Sequence, residues 1–235
     1  MNLHDVMAAL KAKGSEQIKR ILMRHGAKEP FFGVKVGDMK PIAKRIKGDQ
    51  ALALALYATG NGDAQYLAGM VADGAKMSRR ELQGWADRAA WRMVSGTTVP
   101  WVASEHPEGF ALALKWIDAK KEHVAIAGWG TLGAWVTTHP DSELDLKTLE
   151  SLLGRVAKSI HAAPDRVRQQ MNYFLIAVGT YVAPLGAKAI ATARKVGKVE
   201  VDVGDTDCRI PDAEAYILKS RRGAPIAPKR KTVRC

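Results

Sequence analysis

The stretch Ser78–Gly96, SRRELQGWADRAAWRMVSG, carries the signals that decide how this chain folds. Ser78 and Glu81 have the spacing of a capping box, in which two side chains bond the first backbone N–H groups of a helix. If that helix continues to the glycine, Trp91 and Ser95 lie one turn apart on the same face. The stretch therefore predicts a capped helix that presents an aromatic ring and a hydroxyl together.

Helix signals of the same kind recur along most of the chain. Apolar residues return with helical spacing in segments of about 10–18 residues, separated by short turns. Only KVEVDVGD, at residues 198–205, alternates like a strand. The sequence therefore predicts a nearly all-α protein. Residues suited to helix N-caps or first turns precede most of the segments: Ser15, Asp38, Asp49, Asp63, Pro107, Asp145, Pro164 and Pro184.

The succession of helices predicts an array of helical hairpins. Pairs of consecutive helices span roughly 35–45 residues, which is the period of HEAT-like and armadillo-like repeats. The predicted fold is an all-α, HEAT-like or armadillo-like solenoid (α-α superhelix), and a compact helical bundle is the alternative. An array curves and offers a long concave surface, whereas a bundle does not.

The domain prediction places a boundary before Lys219. Residues 1–218 are predicted to form a single helical-repeat domain. Residues 219–235, KSRRGAPIAPKRKTVRC, contain seven Lys or Arg, two prolines and no acidic residue, which is typical of a basic flexible arm. A solvated terminus without a role is the alternative for this segment.

Composition restricts the class of protein. Apolar residues make up 47% of the 235 residues, so the chain can bury a core. No apolar run approaches the roughly 20 residues that a membrane helix needs, and the N-terminal residues lack a signal-peptide core. Two cysteines, Cys208 and Cys235, cannot form a disulfide framework. We expect a cytoplasmic protein that does not interact with membranes.

The net charge is the most informative bulk property. It is +12, with an isoelectric point near 9.8, and such an excess attracts polyanions. Nucleic acid is the first candidate, an anionic membrane surface the second, and basicity for solubility alone the alternative. One basic stripe on a helix is typical of a solvated face, but repeated stripes in a curved array predict a positive groove. The candidate phosphate-binding residues are Lys40, Lys44, Arg45, Arg88, Arg92, Arg166 and Arg168.

Several motifs that carry chemistry are missing from the sequence. There is no His-Glu-x-x-His or paired Cys-x-x-Cys zinc motif, no glycine-rich phosphate loop and no Gly-x-Ser-x-Gly turn. Cys208 stands among aspartates, which would raise its pKa and disfavour a reactive thiolate. We interpret it as a packed side chain in a turn, with a metal ligand as the alternative. The sequence predicts no metal and no cofactor.

Three stretches resemble the HEAT-like repeat DNA alkylation repair family, the helical glycosylases that excise alkylated bases. Residues 31–73 are similar to the N-terminal repeats of that family. SRRELQGWADRAAWRMVS resembles its segment in which a tryptophan precedes the catalytic aspartate by one turn, and VRQQMNYFLIAVGTY, at residues 167–181, resembles a later helix with a second tryptophan. The resemblance covers most of residues 15–182 and implies the same helical-repeat fold.

The resemblance also shows where this chain departs from the family. Trp91 matches the first tryptophan, Ser95 occupies the position of the catalytic aspartate, and Tyr173 occupies that of the second tryptophan. An arginine that the family uses on DNA is expected within residues 122–128, where EHVAIAG has none. The resemblance therefore implies the fold and the basic surface, but not the catalytic mechanism.

The missing acid bears directly on catalysis. Breaking an N-glycosidic bond builds positive charge on the sugar, and loss of one well-placed electrostatic group typically costs about 3–4 kcal/mol of barrier. Ser95 offers a dipole without a charge. Asp87 is the nearest replacement acid, and an ion pair with Arg88 or Arg92 is its alternative role. Both Asp87 and Ser95 are kept as candidate catalytic residues.

These observations predict a DNA-binding protein of the alkylation repair type. As a monomer, it would hold double-stranded DNA, alkylated or plain, in a concave basic groove, with Trp91 and Tyr173 against bases or sugars. An alkylbase glycosylase of weak or altered activity is a second possibility. A non-catalytic helical scaffold for protein–protein interaction is the third.

Overall fold

The computed structural model describes residues 1–234, and these contain thirteen α-helices in two compact units. The first unit comprises Met1–Glu108 with Val203–Asp207 and Arg234, and the second comprises Gly109–Asp202 with Cys208–Val233. Cys235 lies outside the described residues. The prediction of an all-α protein is confirmed.

Seven helices belong to the first unit. They are α1 (Leu3–Lys13), α2 (Glu16–Arg24), α3 (Val36–Arg45), α4 (Gln50–Ala58), α5 (Gly62–Val71), α6 (Arg79–Asp87) and α7 (Val99–Ala103). Six belong to the second unit. They are α8 (Gly109–Trp116), α9 (Glu122–Thr138), α10 (Leu146–Ser159), α11 (Asp165–Tyr181), α12 (Gly186–Val196) and α13 (Ala213–Arg221).

Several predicted caps are present. The Ser15 hydroxyl accepts from the Ile18 N–H at 3.5 Å, and the Asp49 and Asp145 carboxylates each accept a backbone N–H at 3.0 Å. The capping box at the start of α6 is complete: the Ser78 Oγ accepts from the Glu81 N–H at 3.2 Å. Such caps satisfy N–H groups that have no partner inside the helix.

Asp38 and Asp63 lie in the first turns of their helices and are not the N-caps. Helix α3 begins after Lys35, and the N-cap of α5 is Asn61. The Asn61 side chain accepts from the Asp63 and Ala64 N–H groups in the first turn of α5, both at 3.1 Å. The Asp63 carboxylate instead accepts hydrogen bonds from the backbone of residues 32–34.

Helix α5 forms the centre of the first unit. It packs against α3, α4 and α7, and nearly every one of its residues is buried. Beside it, the Tyr57 ring stacks on Trp85 with ring centroids 3.9 Å apart, and its hydroxyl donates to the Trp85 carbonyl at 2.6 Å. A Cβ on Gly69 would lie 2.3 Å from a Thr98 methyl carbon, so this glycine permits the close approach of the next segment.

Helices α9 and α11 form the centre of the second unit. The indole of Trp129 lies against Phe174 with ring centroids 5.3 Å apart. A Cβ on Gly128 would lie 2.6 Å from the backbone nitrogen of Ile117, so α8 and α9 can approach this closely only with glycine there. The glycines of the apolar run HVAIAGWGTLGAWV thus include one that the packing requires.

The predicted strand near residue 200 is wrong. Within residues 1–234 the structure contains no β-strand, and residues 198–205 are irregular. Val199 is buried and Val201 packs, half-buried, against the core of the second unit. Among the described residues, no neighbouring strand is present to pair with residues 198–205. The valines in this segment alternate with polar residues because the segment packs on a helical core.

The basic C-terminal segment begins within a helix. Lys219 lies in α13, which continues to Arg221. Further along, the Ala227 N–H donates to the Thr180 carbonyl and the Arg230 N–H to the Thr137 carbonyl, both at 2.9 Å. The flexibility of residues 219–235 in solution and the single domain at 1–218 remain predictions.

Among residues 1–234, no single helix is long and apolar enough to cross a bilayer. Asp165–Tyr181 and Ala183–Val196 meet the requirement only as a pair, with a bend of 111° between them.

Candidate nucleic-acid interface

The helix predicted to run through Trp91 is interrupted, so this part of the prediction is wrong. Helix α6 ends at Asp87, and helical structure resumes only after Trp91. In the break, the Gln65 side chain donates to the Arg88 carbonyl and accepts from the Ala90 N–H, both at 2.8 Å. Because Gln65 provides these partners, the backbone can leave the helix while its polar groups stay bonded. Asp87 and Trp91 therefore do not share one helix face.

Ser95 lies in a π-helical turn, Val94–Thr98, and is fully buried. Its hydroxyl donates to the carbonyls of Trp91 and Arg92 at 3.4 and 3.3 Å. A hydroxyl directed at the backbone of the preceding turn is not presented to solvent. The structure thus places the candidate catalytic serine inside the packed wall of the first unit.

Asp87 stands at the last residue of α6 and is half-buried. Its carboxylate accepts a hydrogen bond from the Gln83 side chain at 3.0 Å, one helical turn earlier. The catalytic assignments of Asp87 and Ser95 remain predictions. Within residues 1–234, no group of three or more His, Cys, Asp or Glu side chains is placed to hold a metal ion.

Trp91 lies beside an apolar cavity of about 210 Å³ in the first unit. The indole is half-buried, whereas the neighbouring rings of Phe31 and Tyr66 are 4% and 5% exposed. Gly62 lies against the same indole, and a Cβ there would be 3.5 Å from its Nε1. The sequence predicted that Trp91 contacts DNA, with a buried core residue as the alternative, and the structure places the half-buried indole beside a cavity.

Asp63 holds a loop in the wall of this cavity in place. Its buried carboxylate accepts from the backbone N–H groups of Phe32, Gly33 and Val34 at 2.5, 2.9 and 3.2 Å. Burial raises the pKa of this carboxyl, and the three backbone bonds oppose that effect. Asp63 therefore fixes the loop that carries Phe31 rather than capping α5.

Two arginines that were predicted to contact DNA, Arg88 and Arg92, form hydrogen bonds to groups within the first unit. The Arg92 Nε donates to the His25 carbonyl at 2.7 Å, and its Nη2 lies 3.2 Å from the His25 Nδ1. The guanidinium lies 5.9 Å from the centroid of the Trp91 ring. Arg88 is exposed, and its Nε donates to the Gly84 carbonyl at 3.1 Å. Arg92 thus supports the position of Trp91.

The basic residues of α3 are arranged differently. Lys40, Lys44 and Arg45 are exposed, while Met39 and Ile42 of the same helix are buried. One face of the helix packs on the first unit, and the three predicted phosphate contacts point away from that core. The helical spacing in the sequence predicted this separation.

In the second unit, the structure brings two predicted contacts together through a residue that the sequence analysis missed. The Arg166 guanidinium donates to the Gln169 amide oxygen, and the Gln169 amide nitrogen donates to the Tyr173 hydroxyl, both at 3.1 Å. The Tyr173 side chain is 38% exposed. Arg166, Gln169 and Tyr173 are three and four residues apart, and this helical spacing could have indicated that their side chains form consecutive hydrogen bonds.

Arg168 has another role. Its guanidinium donates to the Glu200 carbonyl at 2.6 Å and to the Ala163 carbonyl at 2.9 Å. It also lies 3.6 Å from the Asp165 carboxylate, and its side chain is only 21% exposed. Arg168 therefore ties two irregular segments to the start of α11, whereas Arg166 lies beside the exposed Tyr173.

Comparison with known proteins adds the family. Residues 6–199 match the family described as DNA alkylation repair enzyme. The uncharacterized proteins Lin0241 of Listeria innocua and Lmo0209 of Listeria monocytogenes are 30% and 29% identical over 218 residues, covering 90% of this chain and 94% of each relative.

A solved structure matches over the whole length of both chains, with 38% identity and a TM-score of 0.90. It is described as "a new family of proteins related to the HEAT-like repeat DNA glycosylases with affinity for branched DNA structures". This similarity confirms the predicted HEAT-like repeat fold. Since the family match extends over most of the sequence, the chain belongs to the DNA alkylation repair enzyme family.

Proposed function

We propose that this protein binds branched or otherwise distorted DNA and excises alkylated bases weakly or not at all. The observation that carries the proposal is the burial of Ser95 where the resemblance placed the catalytic aspartate. The protein would retain the DNA-directed surface of its family without the charge that accelerates base release. Affinity for branched DNA, stated for the solved relative, supports the choice of substrate.

Electrostatic attraction supplies the first part of the mechanism. The chain carries a net charge of +12, and Lys40, Lys44 and Arg45 are exposed on α3. Cations that neutralise phosphates release condensed counterions, so affinity falls as salt rises. These contacts position the DNA but do not read its sequence.

Exposed aromatic residues supply the second part. Tyr173 is partly exposed and is held by Gln169, which Arg166 holds in turn. An aromatic ring beside a cation suits a nucleotide, because bases stack on the ring and the phosphate meets the charge. Unpaired bases and exposed sugars occur at branches and distortions, where such a ring can reach them.

Weak catalysis follows from the surroundings of the two candidate residues. Ser95 carries no charge and is buried, and Asp87 stands on the far side of the helix break from Trp91. Without a carboxylate at the sugar, the barrier rises by about 3–4 kcal/mol. A cationic alkylated base leaves easily, which is why slow release forms part of the proposal.

The duplex arms of the branched DNA, whether alkylated or plain, would lie in the basic groove predicted from the sequence. We expect the protein to bind them as a monomer. The alternative of a protein-binding scaffold predicts an acidic protein partner and no affinity for DNA.

A gel-shift comparison tests the proposal. A four-way DNA junction and a linear duplex of the same sequence are titrated at one salt concentration, and base release from methylated duplex is measured in parallel. We expect tighter binding of the junction and base release far slower than by a family member with the catalytic aspartate. Equal binding of both DNAs, or base release at the rate of that enzyme, would refute the proposal.

A further inference from the structure

The cavity beside Trp91 has the size and lining of a site for one aromatic ring system. Its volume is about 210 Å³, and Ile18, Leu22, Val34, Met39 and Met93 contribute to its largely apolar wall. An apolar cavity of about 150 Å³ is already large enough to bind benzene. The space in the first unit therefore accommodates a planar ring system somewhat larger than benzene.

The aromatic residues of the wall differ in exposure. Phe31 and Tyr66 are buried, whereas Trp91 is half-buried and carries the guanidinium of Arg92 near its ring. Arg92 is held by His25, which restricts where the indole can lie. Trp91 is thus a positioned ring that both solvent and a ligand in the cavity can reach.

The polar groups of the wall indicate how a ligand would be recognised. The Asp63 carboxylate already accepts three backbone hydrogen bonds, so its oxygens are engaged. Lys35 also lines the cavity and is exposed. This arrangement suits an uncharged ring inside and a negative group outside, at the lysine.

From this geometry we propose that the cavity captures one unpaired nucleobase of a branched DNA, with the base against Trp91 and the phosphate at Lys35. The proposal rests on the DNA binding proposed above. An unpaired nucleotide combines an uncharged ring with an attached phosphate, and a free aromatic molecule lacks the charge that Lys35 complements. Because the ring face is recognised, capture tolerates any base.

The apolar wall also predicts a preference. Hydrogen-bonding groups at the edge of a base lose water on entry, and each unpaired group reduces affinity. A junction whose unpaired thymine is replaced by difluorotoluene, an apolar ring of the same shape, should therefore bind more tightly. Weaker binding of the difluorotoluene junction would contradict recognition by an apolar wall.

Permanganate footprinting tests the capture directly. The DNA is a four-way junction with one unpaired thymine at the branch point, because permanganate oxidises the 5,6 double bond of thymine only where the ring is accessible. We expect the bound wild-type protein to protect this thymine severalfold. Trp91→Ala should restore its reactivity and lower the affinity for this junction about tenfold.

Val36 offers a matched pair of variants at the cavity wall. It is the first residue of α3, is half-buried and lines the cavity. Val36→Phe should fill the space and abolish protection, whereas Val36→Ala should keep it. Cooperative thermal unfolding of both variants is the control for correct folding.

The outcomes separate the two proposals. If the wild-type protein binds the junction but leaves the thymine fully reactive, base capture is refuted and DNA binding stands. If protection persists in folded Val36→Phe, the site lies elsewhere. If the wild-type protein binds no junction at all, the proposed function itself fails.

Discussion

The Ser95 hydroxyl donates only to backbone groups of the preceding turn, the carbonyls of Trp91 and Arg92. A longer, charged side chain there would be enclosed by the same packing. Burial of an ion without a partner is among the most destabilising single changes in proteins. The position is therefore unsuited to a carboxylate in the present arrangement of this segment.

Ser95→Asp is expected to lower the free energy of unfolding by about 3 kcal/mol and to create no glycosylase activity. Ser95→Ala is the control and should change stability by about 1 kcal/mol or less. Urea unfolding and release of methylated bases measure the two effects. Base release by a fully stable Ser95→Asp variant would show that this position still faces the DNA.

Asp63 gives the first unit a defined response to pH. Burial raises the pKa of the Asp63 carboxyl in the folded protein above its unfolded value of about 3.9. At pH values between these two pKa values, the folded state therefore binds more protons than the unfolded state. Stability from this group is therefore greatest at low pH and declines as pH rises through that window.

We accordingly expect wild type to lose stability relative to Asp63→Asn as the pH rises from about 4 to 7. Unfolding by urea at several pH values measures the difference between the two proteins, which cancels the titration of groups common to both. A difference that grows in favour of wild type over this range would contradict the raised pKa.

At the scale of elements, the break after α6 depends on one buried amide. Gln65→Leu would leave the Arg88 carbonyl and the Ala90 N–H without this partner, and we expect a loss of about 2 kcal/mol. Gln17→Leu, at an exposed position of α2, should change stability by less than about 0.5 kcal/mol. Equal effects in urea unfolding would show that the amide is dispensable.

Helix α11 contains two arginines with different surroundings. Arg166→Ala should weaken binding of branched DNA and reduce the salt dependence by about one phosphate contact. Arg168→Ala should chiefly lower the unfolding temperature, because its bonds to the Glu200 and Ala163 carbonyls hold irregular segments. Anisotropy titrations and thermal unfolding of both variants test this division, which a reversed pattern would overturn.

Sequence patterns identified elements better than the contacts between them. The Ser78–Glu81 capping box and the basic face of α3 follow from local spacing, and both are present. The break before Trp91 does not, because Gln65, which stabilises it, lies on another helix. The strand suggested by the valines near residue 200 was wrong for a related reason. Alternating burial arises both in a β-strand and in an irregular segment that packs on helices.

At the scale of the whole molecule, the all-α class was predictable because helical periodicity recurs along the sequence, and the family was predictable because three stretches of the sequence resemble it. The cavity beside Trp91 was not, because residues from α2, α3, α5 and the segment after α6 meet there only in the folded chain. The aromatic residue was identified in the sequence, but its surroundings were not.

The salt dependence of binding to a branched DNA tests the proposed DNA-binding role most directly. Anisotropy titrations of a labelled four-way junction between 50 and 200 mM salt measure how many phosphate contacts form. If several exposed cations of this +12 chain bind phosphates, affinity should fall more than about tenfold over that range. An affinity that does not change with salt, or no binding at the lowest salt, would contradict a DNA-binding role.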